Sequence, residues 1–104
     1  MMKNDISLTI RLPITLNEQL TDMTKRLGLT KTSCIRFAIW DFLDKQPQPL
    51  AFSKSDEETY RFVLAVNQNT YNILSHACQQ YEQSINSIIN AVSKLALEHY
   101  SKYL

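Results

Sequence analysis

Glycine occurs once in 104 residues, and proline only three times, at Pro13, Pro47 and Pro49. Left-handed turns are therefore few, and long uninterrupted helices are favoured. Histidine and cysteine are scarce as well, with two of each. His76 and Cys78 are two positions apart, which on a helix sets them on different faces, and His99 is remote. With no ligand spacing in sight, neither a metal nor another cofactor is expected. Cys34 and Cys78 read as reduced, buried side chains, a disulfide being the minor alternative. Paired carboxylates, a nucleophile–base set and a glycine-rich phosphate loop are all missing, so the chain is expected not to be an enzyme. There is no apolar run long enough for a bilayer and no charged-then-apolar leader, so the expected setting is the cytoplasm, away from membranes. Net charge is also small, at +1. Residues 1–45 carry +2 and residues 46–104 carry −1, a bias too slight to announce a nucleic-acid partner.

Hydrophobic residues, by contrast, make up 44% of the chain, enough for one packed core. In Ser7-Leu8-Thr9-Ile10-Arg11-Leu12-Pro13, apolar and polar residues alternate. This period of two predicts a half-buried strand over about 6–13. A single strand has unpaired backbone groups along both edges and must find a partner. Beyond Pro13 the pattern turns helical. Thr15-Leu16-Asn17-Glu18 has capping-box spacing, and Leu16, Leu20, Met23 and Leu27 form an apolar stripe, predicting a helix over about 16–27. Gly28 ends it, Thr30 caps a second helix over about 31–45, and Pro47 and Pro49 close that one.

The same roles recur 54 positions later without a gap. Leu8, Ile10 and Leu12 become Phe62, Leu64 and Val66. Thr15 becomes Asn69, Leu20 becomes Leu74, Thr30 becomes Ser84, and Ile35 becomes Ile89. The chain therefore divides into a first unit, 1–44, a linker, 45–58, and a divergent second unit, 59–104. The second unit is expected to hold a strand over about 60–66 and helices over about 70–82 and 85–100. Fourteen linker residues span roughly 45 Å when extended, enough for the second strand to return beside the first. Gly28 maps onto Glu82, which predicts a different turn at that point.

The run from Ser7 to Pro13, followed by "GLTKTSCIRFAIWDFL" from Gly28 to Leu43, resembles the ribbon-helix-helix family, to which the Arc and MetJ repressors belong. The tandem arrangement is similar to that of TraY-like conjugative-plasmid proteins. The resemblance implies a mainly α fold, in which two β-α-α units give a two-stranded antiparallel ribbon over four interlocked helices. It implies that the ribbon's outer face enters the major groove of double-stranded DNA. Ser7, Thr9 and Arg11 would read bases, with Arg61 and Val63 as weaker readers. Backbone phosphate would sit at the start of the second helix, on Thr30, Lys31, Thr32 and Ser33, and more weakly on Ser84, Asn86 and Ser87.

The expected function is sequence-specific DNA binding as a transcriptional repressor or regulator. The alternatives are a relaxosome accessory role in plasmid conjugation and, less well supported, an antitoxin. The expected partners are DNA and the chain itself, as an intramolecular pseudo-dimer able to associate further on DNA. Pairing of first strands between two chains stays open. Phe37, Trp40, Phe42 and the "LEHYSKYL" tail leave room for a protein partner as well as for core packing.

Overall fold

The computed structural model of the protein describes residues 5–104, so the first four positions of the amino-terminal unit lie outside the described residues. It is mainly helical, with one two-stranded antiparallel sheet. In order, the elements are β1 (Ile6–Pro13), α1 (Ile14–Leu27), α2 (Lys31–Trp40), β2 (Thr59–Val66), α3 (Gln68–Tyr81) and α4 (Ile85–Tyr100). The sequence pattern predicts the second helix as one element to residue 45. It instead widens after Trp40 into a π-helical turn, Asp41–Lys45, where the Gln46 N–H reaches back five residues to the Asp41 carbonyl at 2.8 Å. Pro47 has no N–H with which to continue it.

β1 and β2 lie side by side within the one chain, Ile6 opposite Val66 and Pro13 opposite Thr59. Their inner residues Ile10, Leu12, Leu64 and Val66 are buried against the helices. Leu20 of α1, Ile35 and Ile39 of α2, Leu74 of α3, and Ile88, Ile89 and Val92 of α4 complete one core with no residue solvent-exposed among them. Every helix thus contributes an apolar stripe to the same interior, and among the described residues no helix is long and apolar enough to cross a membrane.

The starts of α1 and α3 differ from expectation. Thr15 is not a cap: α1 begins two residues earlier than expected, at Ile14, with Pro13 in the cap position and no side-chain bond from it. The two leading N–H groups are satisfied by the end of the linker instead. Ile14 N–H donates to the Glu58 carbonyl at 3.0 Å, and Thr15 N–H to the Glu57 carboxylate at 2.8 Å. In α3 the cap is Asn67, not Asn69, its side chain accepting from Thr70 N–H at 2.9 Å. β1 runs directly into α1, and only Asn67 separates β2 from α3, so Thr15 and Asn69 fall inside the first turn, where neither acts as the cap. The caps of α2 and α4 are as expected: Thr30 accepts from Ser33 N–H, and Ser84 from Ser87 N–H, each at 3.1 Å.

The turn after α3 is also a correction. Glu82 adopts the left-handed conformation, φ 55° and ψ 48°, close to that of Gly28 at φ 77° and ψ 27°. The chain must reverse in the same way between α1 and α2 as between α3 and α4. Packing therefore overrides the cost of about 1 kcal/mol or more that a side chain brings to this conformation.

Residues 46–58 have no regular structure but are tied down along their length. Gln48 N–H donates to the Phe42 carbonyl at 3.1 Å, Phe52 meets the Tyr81 ring edge-on at 5.5 Å, and Ser53 accepts from the Lys94 ammonium at 2.9 Å. Among the aromatic residues with two readings, Phe42 is buried against His99 and Tyr100, and the Trp40 indole N–H donates to Thr70 at 3.0 Å. The Tyr100 hydroxyl donates to Asp41 at 2.5 Å, and burial together with that carboxylate raises its pKa well above the ordinary phenol range. Phe37 and Tyr103 remain exposed. Both cysteines are free, and burial pushes the Cys34 thiol up to about 11.

Replacing Glu82 by Gly relieves the strained turn and is expected to stabilise the fold by about 1 kcal/mol in urea titration. The Glu57 cap gives a pH signature of known sign. Its hydrogen bond from the Thr15 N–H holds its pKa below the ordinary glutamate value. Its contribution is full above that ordinary value and fades as pH falls through the lower folded one. Glu57→Gln is therefore expected to flatten the acid side of the melting temperature against pH, as read by circular dichroism.

Candidate nucleic-acid interface

The register of the two strands decides which side chains share the ribbon's outer face. Ser7 pairs with Ala65, Thr9 with Val63, and Arg11 with Arg61. All but Ala65 are exposed, Val63 by 56% although it is apolar. The alternate pairs, among them Ile10 with Phe62, point inward. Base-reading candidates from both strands are thus brought together on one surface about 13 Å long from position 7 to position 11.

Those three pairs carry two guanidiniums and no carboxylate. The backbone N–H of Arg11 donates outward to Asn86 Oδ1 at 2.7 Å, and its carbonyl accepts from Asn90 Nδ2 at 3.0 Å. Both groups point away from β2, so Arg11 and Arg61 form the non-hydrogen-bonded kind of antiparallel pair, whose side chains lie closest. Like charges placed so are destabilising, and the one ion pair among the described residues, Arg26 with Asp22 at 3.8 Å, is elsewhere. The arrangement favours an anionic or strongly electronegative partner between the two forks.

The ribbon's outer edges are closed by helix side chains, which limits pairing with another strand. Asn86 and Asn90 of α4 grip β1 at Arg11. On the other edge Arg36 of α2 donates to the Ala65 carbonyl of β2 at 2.8 Å.

The helix starts expected to hold phosphate are only partly open. Thr30 and Ser33 bond to each other through their hydroxyls at 3.0 Å, and Ser84 and Ser87 do so at 3.1 Å. Thr32 is half-buried at the same turn as Thr30 and Ser33. Asn86 is committed to the strand. The Lys31 ammonium is turned inward: it lies 4.4 Å from the Tyr60 ring centre and 4.3 Å from that of Phe62, and it donates to Asn17 Oδ1. Desolvation there lowers its pKa. Cation–π contact with two rings accounts for this placement. The sequence signal was present in the aromatics at 60 and 62, but it needed the strand register to be read.

Two cations escaped sequence reasoning altogether. Lys54 of the linker and Lys94 of α4 line a groove of about 280 Å3 beside Arg11, together with Asp56, Asn86 and Ser87. Forty positions separate them, and only the fold brings them together. Among the described residues no group of three or more His, Cys, Asp or Glu is placed to hold a metal ion.

Comparison with protein-family models finds no match. Comparisons with curated proteins and with solved structures find no significant match either.

Asn90→Ala removes the donor to the Arg11 carbonyl at the ribbon edge. The expected loss is about 1 kcal/mol of stability, with faster amide exchange in β1 than in α1.

Proposed function

We propose that the chain binds double-stranded DNA sequence-specifically, with the β1–β2 ribbon lying in the major groove, and acts as a transcriptional repressor or regulator. On this reading it is a tandem ribbon-helix-helix protein, whose two units form an intramolecular pseudo-dimer. Several features of the fold support the tandem reading. Thr9 pairs with Val63, the residue 54 positions on, so the middle of the strand pair is also the middle of the repeat. Burial follows the same offset: Leu20 and Leu74, Ile35 and Ile89, and Ala38 and Val92 are all inaccessible to solvent. Arg36 to the Ala65 carbonyl and Asn90 to the Arg11 carbonyl are one brace made twice, donor and acceptor each offset by 54. The left-handed residues Gly28 and Glu82 obey the offset as well.

The DNA-binding reading is carried by one observation, the two exposed arginines directly opposed on the outer face of a two-stranded ribbon. A ribbon of this width fits the major groove. Arg11 and Arg61 offer bidentate donors to guanine O6 and N7, Ser7 and Thr9 hydrogen-bond either edge, and Val63 meets a thymine methyl group. The free N–H groups that start α2 and α4 favour phosphate on the two flanks, with Thr30, Thr32, Ser33, Ser84 and Ser87 around them. Lys31 contributes there through its charge and not through direct contact.

Arg11→Ala and Arg61→Ala are expected each to weaken binding to a selected duplex about tenfold or more in fluorescence anisotropy, while binding to unrelated duplex changes much less. The helical circular dichroism is expected to stay unchanged, because the bonds to Arg11 from Asn86 and Asn90 use its backbone. Equal affinity of both variants and the parent for the selected duplex would overturn the assignment.

A further inference from the structure

We infer that the ribbon binds DNA with a fixed polarity: a guanine-bearing half-site lies under Arg11 and Arg61, its flanking backbone phosphate enters the Lys54–Lys94 groove, and an A·T-rich half lies under the other end. This rests on the DNA-binding reading and specifies the substrate of that same surface.

The register carries it. With Thr9 and Val63 at the centre, a ribbon made of two identical strands would carry one arginine at each end. Here position 65, which corresponds to position 11, is alanine, and it lies beside Ser7. Position 61, which corresponds to position 7, is arginine, and it lies beside Arg11. Both guanidiniums therefore gather at one end. The centre and the opposite end offer Val63 and Ala65, which can contact a thymine methyl group but cannot hydrogen-bond, alongside the short hydroxyls of Thr9 and Ser7. The two ends are about 13 Å apart, close to four base steps.

The flanks are polarised in the same sense. Beside Arg11, the groove of about 280 Å3 sets Arg11, Lys54 and Lys94 against one carboxylate, Asp56. Lys94 gives a single hydrogen bond, to Ser53, and keeps further donors on its ammonium free. On the opposite flank these two lysines have no counterparts. The position corresponding to Lys94 is Trp40, whose indole is bound to Thr70. Lys54 has no counterpart, because the linker passes once. The cations on that side are Arg36, which gives one hydrogen bond to the Ala65 carbonyl, and Lys31, held over the Tyr60 and Phe62 rings. The helix starts favour phosphate on both flanks, and the two groove lysines add to that attraction at the arginine end alone.

The test uses the full chain and its Arg11→Ala, Arg61→Ala and Lys54→Ala/Lys94→Ala variants. Each is put through selection from random duplex DNA, followed by hydroxyl-radical footprinting on the parent's site. The expected parental consensus is non-palindromic, with guanine in one half and A·T pairs from the centre into the other. Both arginine variants should relax the guanine half alone. The double lysine variant should keep the consensus, lose backbone protection only outside the guanine half, and reduce the slope of log affinity against log salt by up to about 2. A palindromic consensus, relaxation of opposite halves by the two arginine variants, or loss of protection on both sides would overturn the polarity while leaving DNA binding intact. Failure of the parent to enrich any sequence would instead overturn DNA-binding specificity itself, and the polarity with it.

Discussion

The antiparallel pairing of β1 with β2 inside one chain is the interaction on which the rest depends. It places four inner side chains, Ile10, Leu12, Leu64 and Val66, as a lid over the helical core. The same pairing forces Ser7, Thr9, Arg11, Arg61 and Val63 outward, since neighbouring residues on a strand cannot share a face. Core and candidate interface are therefore one decision of register. A slip of one strand by a single residue would expose its inner apolar side chains and bury its arginine. The helices keep the register in place. Asn86 and Asn90 hold β1, Arg36 holds β2, and the linker's Glu57 and Glu58 hold the junction of β1 with α1. A two-stranded sheet is marginal alone, and these bonds with the core beneath supply what it lacks.

The outer face departs from what stability alone would choose. Two exposed arginines in directly opposed positions repel, and Val63 leaves an apolar surface in water. Solvent screening limits the repulsion between groups this exposed to a modest cost. A modest cost in the free protein becomes a favourable term when an electronegative groove edge lies between the forks. This is the physical reason for reading that surface as a binding face and not as an ordinary wet side of a sheet.

Much of the fold was legible because it depends on patterns that survive substitution. A period of two marked β1, the apolar stripes marked the helices, and Thr30 and Ser84 announced their helix starts through local chemistry that needs no distant partner. Thr15 and Asn69 fitted a cap pattern, but each helix begins two residues earlier than that pattern assumes, and a remote carboxylate at Glu57 caps α1 instead. Lys31 has the position of a phosphate ligand at a helix start, whereas its ammonium follows the rings of Tyr60 and Phe62 across the fold. Lys54 and Lys94 carried no signal because a groove between a linker and a helix has no sequence spacing.

On the tandem reading proposed above, joining two such units in one chain changes what each half must do. When two separate copies meet, every residue appears twice and any departure from the shared pattern is doubled. In one chain a change in one half can be balanced by the other. Ser93 stands at a fully buried position with no hydrogen-bond partner for its hydroxyl, while position 39 holds Ile. Phe42 is buried where position 96 is alanine, and Cys34 where position 88 is isoleucine, so large and small side chains trade places across one core. The left-handed Glu82 is held by the rest of the fold and not by its own preference. The same freedom acts on the outer face: once position 65 is no longer bound to be arginine, the charge can move to position 61 and collect at one end. Asymmetry of the ribbon is then not a decayed symmetry, because the two arginines converge on the end where the linker, present only once, brings Lys54.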